Sequence, residues 1–108
     1  MTKEEFDRFF EQEVKTCKEI MDEKNADYAP GDDKLANFKQ AAKLAAISPE
    51  KALWGFDLKH RTSIHQGIEG KICNGRWPLG WWQEKIRDHI NYMVLLLALI
   101  EERHGKSN

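Results

Sequence analysis

Apolar residues recur along the chain at three- and four-residue spacing, in stretches separated by two clusters of turn-forming residues, 27–33 and 70–80. In the first stretch Phe6, Phe10, Cys17 and Met21, supported by Phe9, Val14 and Ile20, form one helical face, and Thr2 with Glu5 is a capping-box pair ahead of it. The spacing predicts a helix over residues 3–24. A shorter second helix is expected after Asp33, which can cap it, with Leu35, Phe38, Ala42 and Ala45 as its stripe. Ser48 followed by Pro49 reads as an N-cap with proline at the first helical position. The third helix that they open has an inner face of Leu53, Phe56, His60, Ile64 and Ile68. A fourth begins after Gly80 and runs to Arg103. The expected fold is all-α, a compact bundle of about four helices in a single domain over 1–108.

From Ile90 to Ile100 the last helix is apolar on nearly every side, broken only by Asn91 and Tyr92, as in a helix that is buried all round. Three neighbouring helices in a chain of 108 residues are too few to cover it. A homo-oligomer built on this helix or on the tryptophan-rich loop is therefore expected. The longest apolar run, Met93 to Ile100, is far short of the roughly 20 residues that a membrane span needs, so no membrane partner is expected. Seventeen basic residues against eighteen acidic ones give a formal charge of −1, which provides no field for sequence-independent nucleic-acid binding. The N-terminal stretch lacks the basic-then-apolar layout of a secretion signal, and Cys17 and Cys73 are too isolated for a disulfide framework or a zinc site. A cytoplasmic location is the expectation, and packed thiols are the simpler reading of both cysteines.

Four groups of residues could carry chemistry. Glu84, Asp88 and Asn91 lie at i, i+4 and i+7 on the last helix, where two carboxylates one turn apart can share Mg²⁺ with an amide oxygen as a neutral donor. A solvated, salt-bridged face is the plainer alternative. On the third helix Lys59, His60 and Ser63 stand near Gly67, supplying cation, ring and hydroxyl with room for a phosphate to approach. His60 sits on the apolar stripe and reads equally as a hydrogen-bonded core histidine. Asp57 and Arg61 offer an internal pair on the same helix. In the first turn segment, Pro30-Gly31 and Asp33 are explained by turn and cap chemistry, whereas Asp27 and Tyr28 are not. Tyr28 can stack on a base while Asp27 takes a base or ribose donor. Trp77, Trp81 and Trp82 form an aromatic lid over one end of the bundle, a subunit contact or a base-stacking surface. Glycine-rich phosphate loops, nucleophile elbows and zinc-spaced histidine pairs are absent from the sequence.

Taken in order, Lys24-Asn-Ala-Asp27-Tyr28, Asn37-Phe38, Lys59-His60-x-x-Ser63-Ile64 and Asp88-His-Ile-Asn91-Tyr92 resemble small all-helical phage and prophage proteins of the nucleotide-modification-associated type. More distantly, the chain is similar to MazG-type all-α nucleotide pyrophosphohydrolases. The resemblance spans residues 20–100. It implies a helical bundle that handles nucleotides in a phage's conflict with its host. The MazG pattern is a Glu-x-x-Glu pair and a Glu-x-x-Asp pair gripping Mg²⁺; here Glu84 and Asp88 stand four apart rather than three, and no upstream Glu-x-x-Glu lies on an inner face.

The leading expectation is a phage-type protein that binds a nucleotide or nucleotide-derived signal and sequesters it without turnover. Its ligand-binding residues would be Asp27, Tyr28, Asn37, Lys59, His60, Ser63, Asn91 and Tyr92, with phosphates near Lys59, His60 and Ser63 and the base near Tyr28. No cofactor is required for binding. The enzymatic alternative is Mg²⁺-dependent nucleotide pyrophosphohydrolysis with Glu84 and Asp88 as metal ligands. A third reading is a protein-interaction module whose contact surface is the tryptophan-rich loop.

Overall fold

A computed structural model describes the backbone of residues 1–28, 31–70 and 76–105, and the side chains of the same residues except 25–28. The described residues form five helices and no strand: α1 (Lys3–Tyr28), α2 (Ala36–Ala45), α3 (Pro49–Phe56), α4 (Leu58–Glu69) and α5 (Leu79–Gly105). The all-α bundle expected from the periodicity is therefore the observed fold.

Two helix starts follow directly from local sequence. The Thr2 hydroxyl accepts from the Glu5 backbone N–H at 3.1 Å while the Glu5 carboxylate accepts from Thr2 N at 3.2 Å, the reciprocal bonds of a capping box. The Ser48 hydroxyl accepts from Lys51 N at 3.1 Å, and Pro49 occupies the first turn of α3. Asp33 acts one step earlier than expected. Its carboxylate accepts from Leu35 N at 2.9 Å and its carbonyl from Ala36 N at 3.2 Å, so that it shapes the turn before α2 rather than capping the helix itself. The helix ends at Ala46 in the left-handed conformation, with Ile47 N–H reaching back to the Ala42 carbonyl at 3.0 Å.

The expected third helix is two. The chain bends at Asp57, whose carbonyl accepts from both His60 and Arg61 N–H groups at 3.0 and 3.2 Å, and whose side chain is drawn fully inside. Leu53 and His60 of the expected inner face are buried and Ile64 is half-buried, but Phe56 and Ile68 are exposed. On α2 Leu35 and Ala42 are buried and Ala45 is not.

The core lies where α2, α3 and α5 meet. Leu35, Leu53 and Leu99 form its centre, with Phe38, Tyr92, Leu95 and Leu96 packed around them. α4 packs on α3 and α5, and α1 rests on α5. At the other end of α5, Trp77 stacks on Trp81 with ring centroids 4.5 Å apart and Trp82 meets Trp81 edge-on. Gly67 of α4 lies directly beneath the Trp81 and Trp82 rings, and a β-carbon there would fall within 3.0 Å of both.

A single chain does not enclose its last helix. Only Asn91 and Leu99 of α5 are buried, while Ile90, Val94 and Leu97 keep 39%, 55% and 56% of their surface exposed. The expectation of a helix buried on all sides thus fails within one copy, for lack of neighbours on the side that α1 covers only in part. No described helix is long and apolar enough to cross a membrane.

Candidate ligand-binding site

The site is built on the junction of α1, α2, α3 and α5. α5 presents Asp88, Asn91, Tyr92 and Leu95 at successive helical spacing, so that one polar and one aromatic face converge on the same hollow. α2 adds Asn37 and Phe38 from its first turn, α3 adds Phe56 from its last, and Met21 and Lys24 come from α1. Lys34, in the turn before α2, completes the rim. The volume of the hollow is about 210 Å³.

Three rings make one wall. Phe38 meets Phe56 edge-on at 5.9 Å and Tyr92 edge-on at 6.3 Å. Behind Tyr92, His60 packs at 5.4 Å and fixes the tyrosine ring from the core side. The His60 imidazole is buried, and burial holds its pKa below the ordinary histidine value against the opposing pull of Asp88 and Asp57. It is accordingly a neutral ring near pH 7.

Polar groups make the facing wall. Lys24 Nζ donates to Asp88 Oδ1 at 2.8 Å, a pair with its cation half exposed and its carboxylate largely covered. The Asn91 amide nitrogen donates to the Cys17 backbone carbonyl at 3.0 Å and so orients that side chain while tying α1 to α5. One turn earlier Arg87 grips Glu13 with two bonds at 2.8 and 2.7 Å, which lowers the Glu13 pKa below the usual carboxylate value. Burial raises the pKa of the Cys17 thiol beneath these contacts.

Of the residues singled out in the sequence, Asn37, Asn91, Tyr92 and Asp88 meet in this cavity. Lys59, His60 and Ser63 do not line it: they lie on α4, where His60 serves as packing behind Tyr92 and Lys59 is exposed. Asp27 and Tyr28 close the last turn of α1, and their side chains fall outside the described residues. Cys73 also lies outside the described residues. Glu84 stands on the outer surface beside Lys85, away from the cavity that Asp88 lines. Among the described residues no three carboxylate, histidine or cysteine side chains gather as metal donors, and Asp88 is already bonded to Lys24. Among the described residues Glu84 and Asp88 are thus not part of a three-donor cluster.

Sequence reading missed Phe56 and Lys34 as cavity residues, and it missed His89. The Nδ1 of His89 lies 2.7 Å from Asp57 Oδ2, and Arg61 Nε approaches the same oxygen at 3.3 Å. Asp57 and Arg61 could be paired from their four-residue spacing, but His89 is 32 positions away from Asp57 and only the fold brings it there. Arg61 also lies over the Trp54 ring, 3.5 Å from its centroid, and donates to the Trp54 carbonyl.

Fold and site together define an all-α helical bundle with a small mixed cavity, aromatic on one side and lysine, amide and carboxylate on the other. Comparison with protein-family models, curated proteins and solved structures gives no match to the chain.

Proposed function

We propose that the protein binds a nucleotide-type small molecule in this cavity and holds it without chemical turnover. The observation that carries the reading is the pairing of the Phe38, Phe56 and Tyr92 rings with Lys24, Lys34, Asn37, Asp88 and Asn91 around one hollow. Aromatic faces and edges suit a planar heterocycle. Asn37 and Asn91 carry the donor-and-acceptor amides that read a base edge, and Asp88 accepts from a ring N–H or a ribose hydroxyl. The lysines supply point charges for phosphate.

The volume of 210 Å³ is below the roughly 300–1,000 Å³ of pockets that swallow a drug-sized ligand. It suits a base with part of its sugar inside and the phosphates at the mouth, where the Lys24 side chain is half exposed. An incoming phosphate would compete with Asp88 for Lys24, and a base or ribose donor would then satisfy the released carboxylate.

The test is a thermal-shift and calorimetric titration of the full chain against nucleoside mono-, di- and triphosphates and cyclic dinucleotides, with and without Mg²⁺. Chromatography of the free and heat-released pools follows. At least one nucleotide is expected to raise the melting temperature and to be recovered unchanged on heating. Lys24→Met and Asn37→Ala are each expected to weaken its binding about tenfold, the effect of losing one charged or amide contact. Absence of any shift across the panel overturns the reading, and new products in the Mg²⁺ arm overturn retention in favour of turnover.

A further inference from the structure

Beside the polar cavity runs a second, apolar groove of about 720 Å³ between α1 and α5. Its walls include Phe9, Phe10 and Val14 from α1 and Ile86, Ile90 and Val94 from α5. These side chains keep between 39% and 58% of their surface exposed, and Phe6 and Leu97 extend the same faces beyond the groove. Rings of roughly 200 Å² at half exposure, with the aliphatic groups added, leave on the order of 700 Å² of apolar surface uncovered, close to the ~800 Å² that each partner contributes to a standard protein interface. Isolated monomers rarely leave so large a contiguous apolar patch in water.

The chain is also extended. The radius of gyration is 16.2 Å, against about 13 Å for a closed domain of 100 residues. Helices of 26 and 27 residues, each about 40 Å long at 1.5 Å per residue, extend the chain in this way. The charged residues bordering the groove are Glu13 and Asp22 against Lys18 and Lys34, a balanced set. Within the chain Lys18 pairs with Asp22 and Glu13 with Arg87, so the border carries no net charge to draw an anionic membrane or a nucleic acid and sets no like-charge repulsion against an identical copy.

The geometry points to a second copy of this chain as the occupant, in an isologous homodimer that buries the α1 and α5 faces of both protomers. The consequence for the cavity is direct. Met21, Lys34, Asn91 and Leu95 line both the groove and the polar hollow, so the partner that fills the groove also walls the open side of the ligand cavity. The interface stands on the exposed apolar surface alone. The coupling of assembly to ligand retention rests on the nucleotide reading above.

Sedimentation of the full chain over a wide concentration range tests the interface without any ligand. A species of twice the 12.6 kDa chain mass is expected at micromolar concentration. Val94→Glu and Phe10→Glu replace side chains that already meet solvent, so folding should survive, as read by unchanged helical circular dichroism. Each should raise the dimer dissociation constant at least tenfold. Leu44→Glu, at an exposed position outside the groove, should leave it unchanged. A wild-type chain that stays monomeric, whether or not it co-sediments with phosphatidylserine vesicles or another protein, overturns the proposal. So does a dimer indifferent to both groove variants. Nucleotide binding by a strictly monomeric wild type would leave the proposed function standing and remove the interface.

Discussion

Asp57 is the most constrained polar residue described. It is fully buried, and one carboxylate oxygen serves both His89 and Arg61, so the charge is held by partners from α4 and α5 at the point where the chain bends. Asp57→Ala should cost about 1.5–3 kcal/mol, for the loss of charge-assisted contacts whose Arg61 and His89 partners keep 26% and 29% of their side-chain surface in solvent. Asp57→Asn, which keeps shape and one acceptor, should cost clearly less. Urea denaturation of both variants checks the order, and equal losses would sink the assigned role. Gly67 is constrained by space. A methyl there meets the Trp82 ring at 2.7 Å and the Trp81 ring at 2.9 Å, and rings packed on each other have little room to retreat. Gly67→Ala is expected to lower stability by about 1–2 kcal/mol in spite of alanine's better helix propensity, with loss of near-ultraviolet circular dichroism from the tryptophans. At this scale the sequence suggested Gly67 as room for a ligand, an expectation the structure corrects, because the space is taken by indole rings of α5. Composition and spacing do not encode which long-range side chain fills a gap.

At the scale of elements, α1 is attached to α5 by a few polar bonds around one buried thiol: Glu13 to Arg87, the Cys17 carbonyl to Asn91, and Lys24 to Asp88. The Glu13–Arg87 pair is bidentate and four-fifths covered, so Glu13→Gln should cost about 1–2 kcal/mol and selectively raise amide exchange in α1. Its pH dependence has a definite sign. The folded-state pKa of Glu13 is depressed by Arg87, so the carboxylate's contribution is fully present above the ordinary value of 4.5 and is lost as pH falls through the lowered folded value. Acid titration of stability should therefore be shallower in Glu13→Gln than in the wild type. Helix starts were legible because capping is local, as Thr2 with Glu5 and Ser48 with Pro49 demonstrate. The division of α3 from α4 was not. Asp57 is pulled inward by a histidine on another helix, and no sequence window contains both.

For the molecule as a whole, uncovered apolar faces on the two longest helices dominate. If two copies cover them, folding is coupled to association. The apparent melting temperature should then rise by about 3 °C for each tenfold increase in protein concentration, because mass action adds about 1.4 kcal/mol to the dimer at each step. Differential scanning calorimetry at several concentrations reads this, and a concentration-independent transition would contradict it. Ligand should add to the effect, since four cavity residues also line the groove.

The sequence by itself determined the all-α class, the starts of α1 and α3, the apolar stripes and four residues of the cavity lining. Asp88, Asn91 and Tyr92 stood out because they border or interrupt the apolar face of the last helix, a signal written in local spacing, whereas Asn37 was singled out without such a signal. The tertiary structure alone decided that Lys24 and Lys34, rather than Lys59, flank the hollow, that His60 packs against Tyr92 outside the cavity lining, and that α1 leaves its phenylalanines in solvent. Helical periodicity reports which face of a helix is apolar. Which neighbour, within the chain or from a second copy, comes to cover that face depends on distances between helices, and those exist only in the folded molecule.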